Sequence, residues 1–454
     1  MQTAFTPEQL ADPDVALSEK ILRACVHCGF CTATCPSYVL LGDELDSPRG
    51  RIYLIKDMLE SSRPATQAVA THLDRCLSCL ACMTSCPSGV HYQHLIDHAR
   101  AHVERTYRRP WRERLVRGLL ARIVPHPRRL RVALALARGL APLARRWPLG
   151  RSAGAGTLGA ALRAVLRLAS VRAPRGSFSS AAQRPAGSST AERAAGASPD
   201  RSGRVALLRG CAQCVLTPEA QAASLRLLQR AGYEVEHLEG CCGAIAHHLG
   251  KVGEGRRLGA RLLEQLGAAR RRGGLDALIV TASGCGTHLK DYGHLFRNDA
   301  ELAEPAARAS ALARDITEWL DTSRWTVGTG QAAHAGLIVA YHSACSMQHG
   351  QRLDRIPQRL LERAGFAVRE IPEGHLCCGS AGTYNILQPR IAEELRARKL
   401  ENIRRTAARV VATGNVGCIV QLAGEGELPV VHTAELLDWA QGGPVPAKLR
   451  ARSG

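Results

Sequence analysis

Sixteen of the 17 cysteines in this chain fall into four sets of four. Two sets repeat the run Cys-x2-Cys-x2-Cys-x3-Cys-Pro: Cys25, Cys28, Cys31 and Cys35 before Pro36, and Cys76, Cys79, Cys82 and Cys86 before Pro87. Thiolate is a soft ligand that suits iron–sulfur clusters, zinc or copper(I). This run has the spacing of paired [4Fe–4S] clusters, in which the fourth cysteine serves the other cluster. Three closely spaced thiolates wrap one cubane, and Pro36 or Pro87 turns the chain after the fourth. On that rule Cys25, Cys28, Cys31 and Cys86 hold one cluster, while Cys76, Cys79, Cys82 and Cys35 hold the other. The rival is a pair of structural zinc sites, but zinc motifs usually supply their ligands as separated pairs.

The other eight cysteines form two copies of a looser pattern, Cys211, Cys241, Cys242, Cys285 and Cys345, Cys377, Cys378, Cys418. Adjacent cysteines do not easily reach one iron of a relaxed cubane, which points to an unusual cluster or a site spanning two metals. Gly243 and Gly379, each following a Cys-Cys pair, permit the tight backbone such a pair needs. The bland alternative is buried thiols packing as small apolar groups. Eight of them at matched positions argue against it, and an iron–sulfur cluster is preferred to zinc. Cys214 reads as a spare thiol, because Gln348 stands at its place in the second copy. His288 and His342, three residues from Cys285 and Cys345, are lesser ligand candidates, since histidines are more often ordinary core or surface residues.

The elements that must position these thiols fall into five segments. Residues 1–103 carry the two proline-terminated runs, and Ile52, Ile55 and Leu59 recur at helical spacing between them. Residues 104–150 read as basic amphipathic helices broken by Pro110, Pro125, Pro127 and Pro142. Residues 151–203 are Ala/Gly/Ser/Arg-rich, the composition of a flexible linker. Residues 204–330 and 331–454 are one module used twice. RVALLRGC matches GLIVAYHSAC, LRLLQRAGYEVEHLEG matches PQRLLERAGFAVREIPEG, and ALIVTASGC matches VVATGNVGC. Strands alternating with helices predict a parallel sheet with ligands gathered beyond the strands' carboxyl ends. The fold class is therefore α/β, with an N-terminal α-helical two-cluster domain and a C-terminal tandem repeat of Cys-rich modules.

Composition narrows the function. The chain carries 60 Lys+Arg against 40 Asp+Glu, a formal charge of +20, which favours an acidic subunit, an anionic membrane surface or nucleic acid. Aromatic residues are only 4%, so base-stacking platforms are scarce and no nucleic-acid partner is expected. The start lacks a secretory pattern, and the apolar stretch Val132 to Ala144 is interrupted by Arg138 and too short to span a bilayer. The expected location is cytoplasmic, with the 104–150 segment a possible peripheral membrane contact. Gly154, Gly156 and Gly159 spell G-x-G-x-x-G, but without a preceding strand the match is accidental. No flavin or nucleotide motif is visible, so no residue is assigned a catalytic role and the two-electron chemistry belongs elsewhere.

The runs RACVHCGFCTATCPSYVLLGDELDSPRGRIYLIK, CLSCLACMTSCPSGVHY, LRGCAQC, TASGCGTHLKDYGHL, HLCCGSAGTYNIL and GNVGC closely resemble the iron–sulfur subunits of bacterial glycolate oxidases (glycolate dehydrogenases). The resemblance covers nearly all of the chain outside the linker. It implies a subunit that does not oxidise substrate alone. FAD-containing partners would convert glycolate to glyoxylate, and electrons would pass to an acceptor, expected to be membrane quinone. The sixteen grouped cysteines match the family pattern. Related subunits act in L-lactate and glycerol-3-phosphate dehydrogenase complexes, and heterodisulfide reductase modules carry one further cysteine where this chain has His288 and Gln421. A zinc-stabilised basic nucleic-acid-binding protein is the rival of another class.

Overall fold

The structure, a computed structural model, describes residues 1–146, 203–323, 325, 334–424 and 427–450. The linker and its glycine motif lie almost wholly outside the described residues.

The N-terminal part is helical. Pro48–Glu60 forms the expected helix, started by Pro48 and by Ser47, whose hydroxyl accepts from Gly50 N–H. Its apolar stripe, Ile52, Ile55 and Leu59, packs with Ile21 and Leu22 of helix Pro13–Ala24 and with Leu95, Ile96 and Ala99 of helix Tyr92–Thr106. Cys25, Cys76 and Cys82 sit at the edge of this same core, so the helices that bury the stripe also fix the cysteine loops. Both loops share a backbone signature. His27 and Gly29 in the first, and Ser78 and Leu80 at the same offsets in the second, all have positive φ. Three of the four are not glycine, a strained arrangement that curls each loop around its thiols.

Two four-stranded parallel sheets follow. Strands β1 (Gly203–Gly210), β2 (Tyr233–Gly240), β3 (Ala277–Val280) and β4 (Ala313–Asp315) run in the order β2-β1-β3-β4. Strands β5 (Ile338–Tyr341), β6 (Ala367–Glu370), β7 (Val410–Thr413) and β8 (Val430–His432) repeat it as β6-β5-β7-β8. The expected parallel α/β repeat is therefore present, with a short fourth strand per module that the pattern did not reveal. The register pairs Gly210 with Gly240, which puts Cys211 and Cys241 side by side just past the strand ends.

The modules are fused rather than strung together. Val205, Leu207 and Ile279 of the first share one core with Val339, Tyr341, Val410 and Val431 of the second. At the seam His432 Nε2 meets Thr281 O at 2.7 Å and Ser283 N–H donates to Gly414 O. The N-terminal part clamps both modules. His94 approaches Asp291 at 2.9 Å and stacks on His294, while the Tyr384 hydroxyl donates to Arg75 O at 3.0 Å.

The basic segment forms a hairpin of helices Trp111–Ile123 and Pro127–Arg146. Pro110 caps the first, and Pro125 and Pro127 make the turn. Pro142 does not break the second helix as expected. The helix runs on through it as far as Arg146, with the missing N–H removing a single bond.

Candidate functional site: four thiol sets around two concavities

The first concavity, about 430 Å³ counting its mouth, is lined by Cys25, Cys28 and Cys31 of the first run and by Cys82 and Cys86 of the second. Cys86, expected to serve this set, comes to it from the second run, and Cys82, expected to serve the other, borders the same space. Cys28 is exposed and Cys31 and Cys86 are half-buried, so this set lies at the surface. Val26 and Phe30 stand out beside it, 67% and 66% exposed.

The second set is interior. Cys35, Cys76, Cys79 and Cys82 are all buried. Burial pushes the Cys79 and Cys82 thiols well up, Cys79 further through Cys377 and Cys35, and Cys82 through Cys79, Cys76 and Cys35. Cys35 is thus a near neighbour of the second run. Coordination requires thiolate, so a metal bound here would have to displace protons that burial holds in place.

Sequence reasoning missed the charged group beside this set. Arg51, 1% exposed, points Nη1 at Cys35 Sγ at 3.8 Å. It donates Nε–H to His72 O at 2.7 Å and Nη2–H to Ser37 Oγ and Asp46 Oδ1. Burial opposes its charge, yet Cys76, Tyr92, Cys35 and Asp46 hold its pKa above the ordinary arginine value. The only sequence cue was a cation placed near the apolar stripe of its helix. Asp46, itself fully buried, also pairs with Arg75 and His72.

The larger concavity, about 1790 Å³ with its mouth, is lined by all eight cysteines of the two repeated modules and by Cys76. Within each module the adjacent cysteines touch each other, and each also reaches a further cysteine. Cys241 faces Cys211, with Sγ atoms 3.4 Å apart, and Cys377 faces Cys345 at 3.9 Å. Their neighbours turn to the fourth cysteine: Cys378 and Cys418 are 3.4 Å apart, and Cys242 contacts Cys285. None of these pairs is a disulfide. Two thiolates on one tetrahedral metal stand ~3.8 Å apart at ~2.3 Å per bond, close to the Cys345–Cys377 separation and somewhat wider than those of Cys211–Cys241 and Cys378–Cys418.

Gly243 (φ 89°) and Gly379 (φ 87°) make this arrangement possible. A Cβ on Gly243 would lie 2.4 Å from Gly255 O, and one on Gly379 2.4 Å from Ala392 O. Both glycines let the backbone turn left-handed directly against a neighbouring helix.

The remaining candidates separate. His342 is buried, with a ring nitrogen within 4.8 Å of the Cys378 and Cys418 sulfurs. The Cys418 thiol is drawn down to about 6, first by its hydrogen bond with Cys378 and further by His342. His288 instead sits among His247, His248 and Tyr292, and burial with the two histidines drives its pKa well below the ordinary value. Cys214 bonds back to Cys211 O at 3.3 Å and does not line the cavity.

Comparison with known proteins identifies the domain types. Residues 21–90 match a 4Fe-4S dicluster domain, and residues 205–290 and 339–423 each match a cysteine-rich domain. The fold and its thiol sets therefore define an iron–sulfur protein. Over 97% of its length the chain is 38% identical to the glycolate oxidase iron-sulfur subunit of Escherichia coli (strain K12), covering 99% of that protein. It is 29% identical over 94% of its length to the probable glycolate oxidase iron-sulfur subunit of Bacillus subtilis (strain 168), covering 95% of it. Lactate utilization protein A of the same Bacillus strain aligns with only 52% of the chain, at 27% identity. The chain belongs to the family of glycolate oxidase iron–sulfur subunits.

Proposed function

We propose that this chain is the electron-transfer subunit of a glycolate-oxidising complex, delivering electrons from FAD-containing partners to membrane quinone. The observation that carries the reading is the contiguity of the thiol sets. Cys28 opens to the surface, Cys35, Cys76, Cys79 and Cys82 lie behind it, and Cys79 packs in one cluster with Cys377 and Cys345 of the second module. Cys25, Cys28, Cys31 and Cys86 would hold one [4Fe–4S] cluster and Cys76, Cys79, Cys82 and Cys35 a second. Each Cys-Cys-Gly set would hold a further iron–sulfur centre, with zinc as the lesser alternative. Such clusters, when bound, carry single electrons. The surface set is the way in for a flavoprotein, and its Val26 and Phe30 collar offers apolar contact. The large cavity is the way out.

Near full-length identity to glycolate oxidase subunits, against half-length identity to the lactate relative, favours glycolate. The test is anaerobic addition of glycolate to the assembled complex, followed by EPR. Cluster signals should appear on glycolate and be weak or absent with lactate or glycerol 3-phosphate. Reduction by lactate alone would transfer the complex to that substrate.

Arg51 has a defined task under this reading. A buried cation beside Cys35 favours the more negative, reduced state of the cluster there. Arg51→Gln should lower the midpoint potential of the second cluster by about 60 mV, the equivalent of ~1.4 kcal/mol for one electron. Arg51→Lys, which keeps the charge, should shift it less. Redox-poised EPR reads both, and an unchanged potential in Arg51→Gln would remove the tuning role.

A further inference from the structure

Five of the ten large apolar side chains that the described residues expose lie in one hairpin. Trp111, Leu115 and Leu119 follow one another at four-residue intervals on its first helix, and Val132 and Leu136 do so on its second, all 47–63% exposed. Folding does not require this stripe outside, because the hairpin already has a buried face. Leu120 and Ala121 pack with Leu249 and Ile386, and Leu130, Leu134 and Ala137 with Ala212, Val215 and Leu216. The outward face is a second apolar surface on an element anchored to both modules.

Its charge is one-sided. Arg108, Arg112, Arg114, Arg122, Arg128, Arg129, Arg131 and Arg138 are exposed along residues 107–139, and no acidic residue there is. The one acid of that stretch, Glu113, is half-buried and held by Arg109 and Arg117, which also bind Asp74. Apolar and arginine side chains alternate over both helices without a charge-free centre. Protein interfaces tolerate arginine but concentrate their apolar groups in a central patch within a polar rim, whereas helices lying on an anionic bilayer interleave the two along their length, with apolar groups below the headgroups and arginines among them. No helix among the described residues is long and apolar enough to cross a membrane, so the contact is with a surface. Val124, Leu130 and Leu134 of the same hairpin line the cavity that holds the eight module cysteines.

We propose that residues 107–139 form a bilayer-docking face, which seats the protein on anionic lipid with the large thiol-lined cavity directly behind it. The purpose of such docking rests on the quinone reading above, but the docking itself does not. The experiment uses the anaerobically purified full chain with phosphatidylglycerol or phosphatidylcholine vesicles. Co-sedimentation should be strong on phosphatidylglycerol, at least about tenfold weaker on phosphatidylcholine, and reduced by salt. A Leu119→Gln/Leu136→Gln variant keeps every charge, and its binding should fall about tenfold. No binding to phosphatidylglycerol, or equal binding by the variant, would overturn the proposal; the first result would leave an acidic protein as the partner of this face. Reduction of a water-soluble quinone analogue by the assembled complex reports on the acceptor separately. Its loss with vesicle binding intact would sink the quinone reading while upholding the docking face.

Discussion

A Cys79→Ser chain, assembled with its partner subunits, should leave the partner flavin reducible by glycolate and yet cut electron delivery to quinone by about two orders of magnitude or more. Serine offers a hard oxygen where the cluster wants a soft thiolate, so the second cluster would be lost or altered. The position matters as much as the ligand. Cys79 is buried beside Cys377 and Cys345, where the N-terminal part meets the second module. A break there separates the surface set from the cavity. Stopped-flow reduction of the flavin by glycolate, with quinone reduction in parallel, distinguishes the two halves. Cys214→Ser is the matched control, because its thiol bonds to its own turn and should be dispensable. Normal turnover in Cys79→Ser, or an equal loss in Cys214→Ser, would contradict the assignment.

Gly379→Ala should destabilise the second module by about 3 kcal/mol, through a left-handed alanine and a methyl forced against backbone. The methyl would stand 2.4 Å from Ala392 O, on a helix that cannot withdraw without moving Leu395, which packs beside Ala392. Gly382→Ala separates the two contributions. That glycine also has positive φ (68°), but nothing lies within 4 Å of a Cβ there, so only the conformational part, about 1 kcal/mol, should appear. Urea unfolding of the loaded protein measures both. Equal losses at Gly379 and Gly382 would show that close packing of the Cys-Cys-Gly turn is not what demands glycine.

Chemistry set by local spacing was legible in the sequence. The two proline-terminated runs, the helix around Ile52 and Ile55, the duplicated strand–Cys pattern and the glycines after each Cys-Cys pair all depend on near neighbours. What escaped depends on distant parts of the chain. Strands β4 and β8, three residues each, exist because Ala313–Asp315 and Val430–His432 find β3 and β7, and so short a run has no periodicity to read. Arg51 reads as an ordinary helix cation until Asp46, Ser37 and the Cys35 thiol close around it. His288, three residues from Cys285, seemed a ligand candidate, yet its helix turns it toward His247 and His248. The shared cavity was the least visible feature, since it arises from the fusion of two modules and the hairpin across them.

The account stands on cubane clusters held by the first run of cysteines and its partner run. Iron and acid-labile sulfide analysis of anaerobically purified chain, with EPR after dithionite reduction, tests that most directly. Brown protein with the interacting signals of two reduced [4Fe–4S] clusters is the predicted result. A colourless preparation holding stoichiometric zinc, or fewer than two low-potential cubanes in a chain that still supports full turnover in its complex, would contradict it.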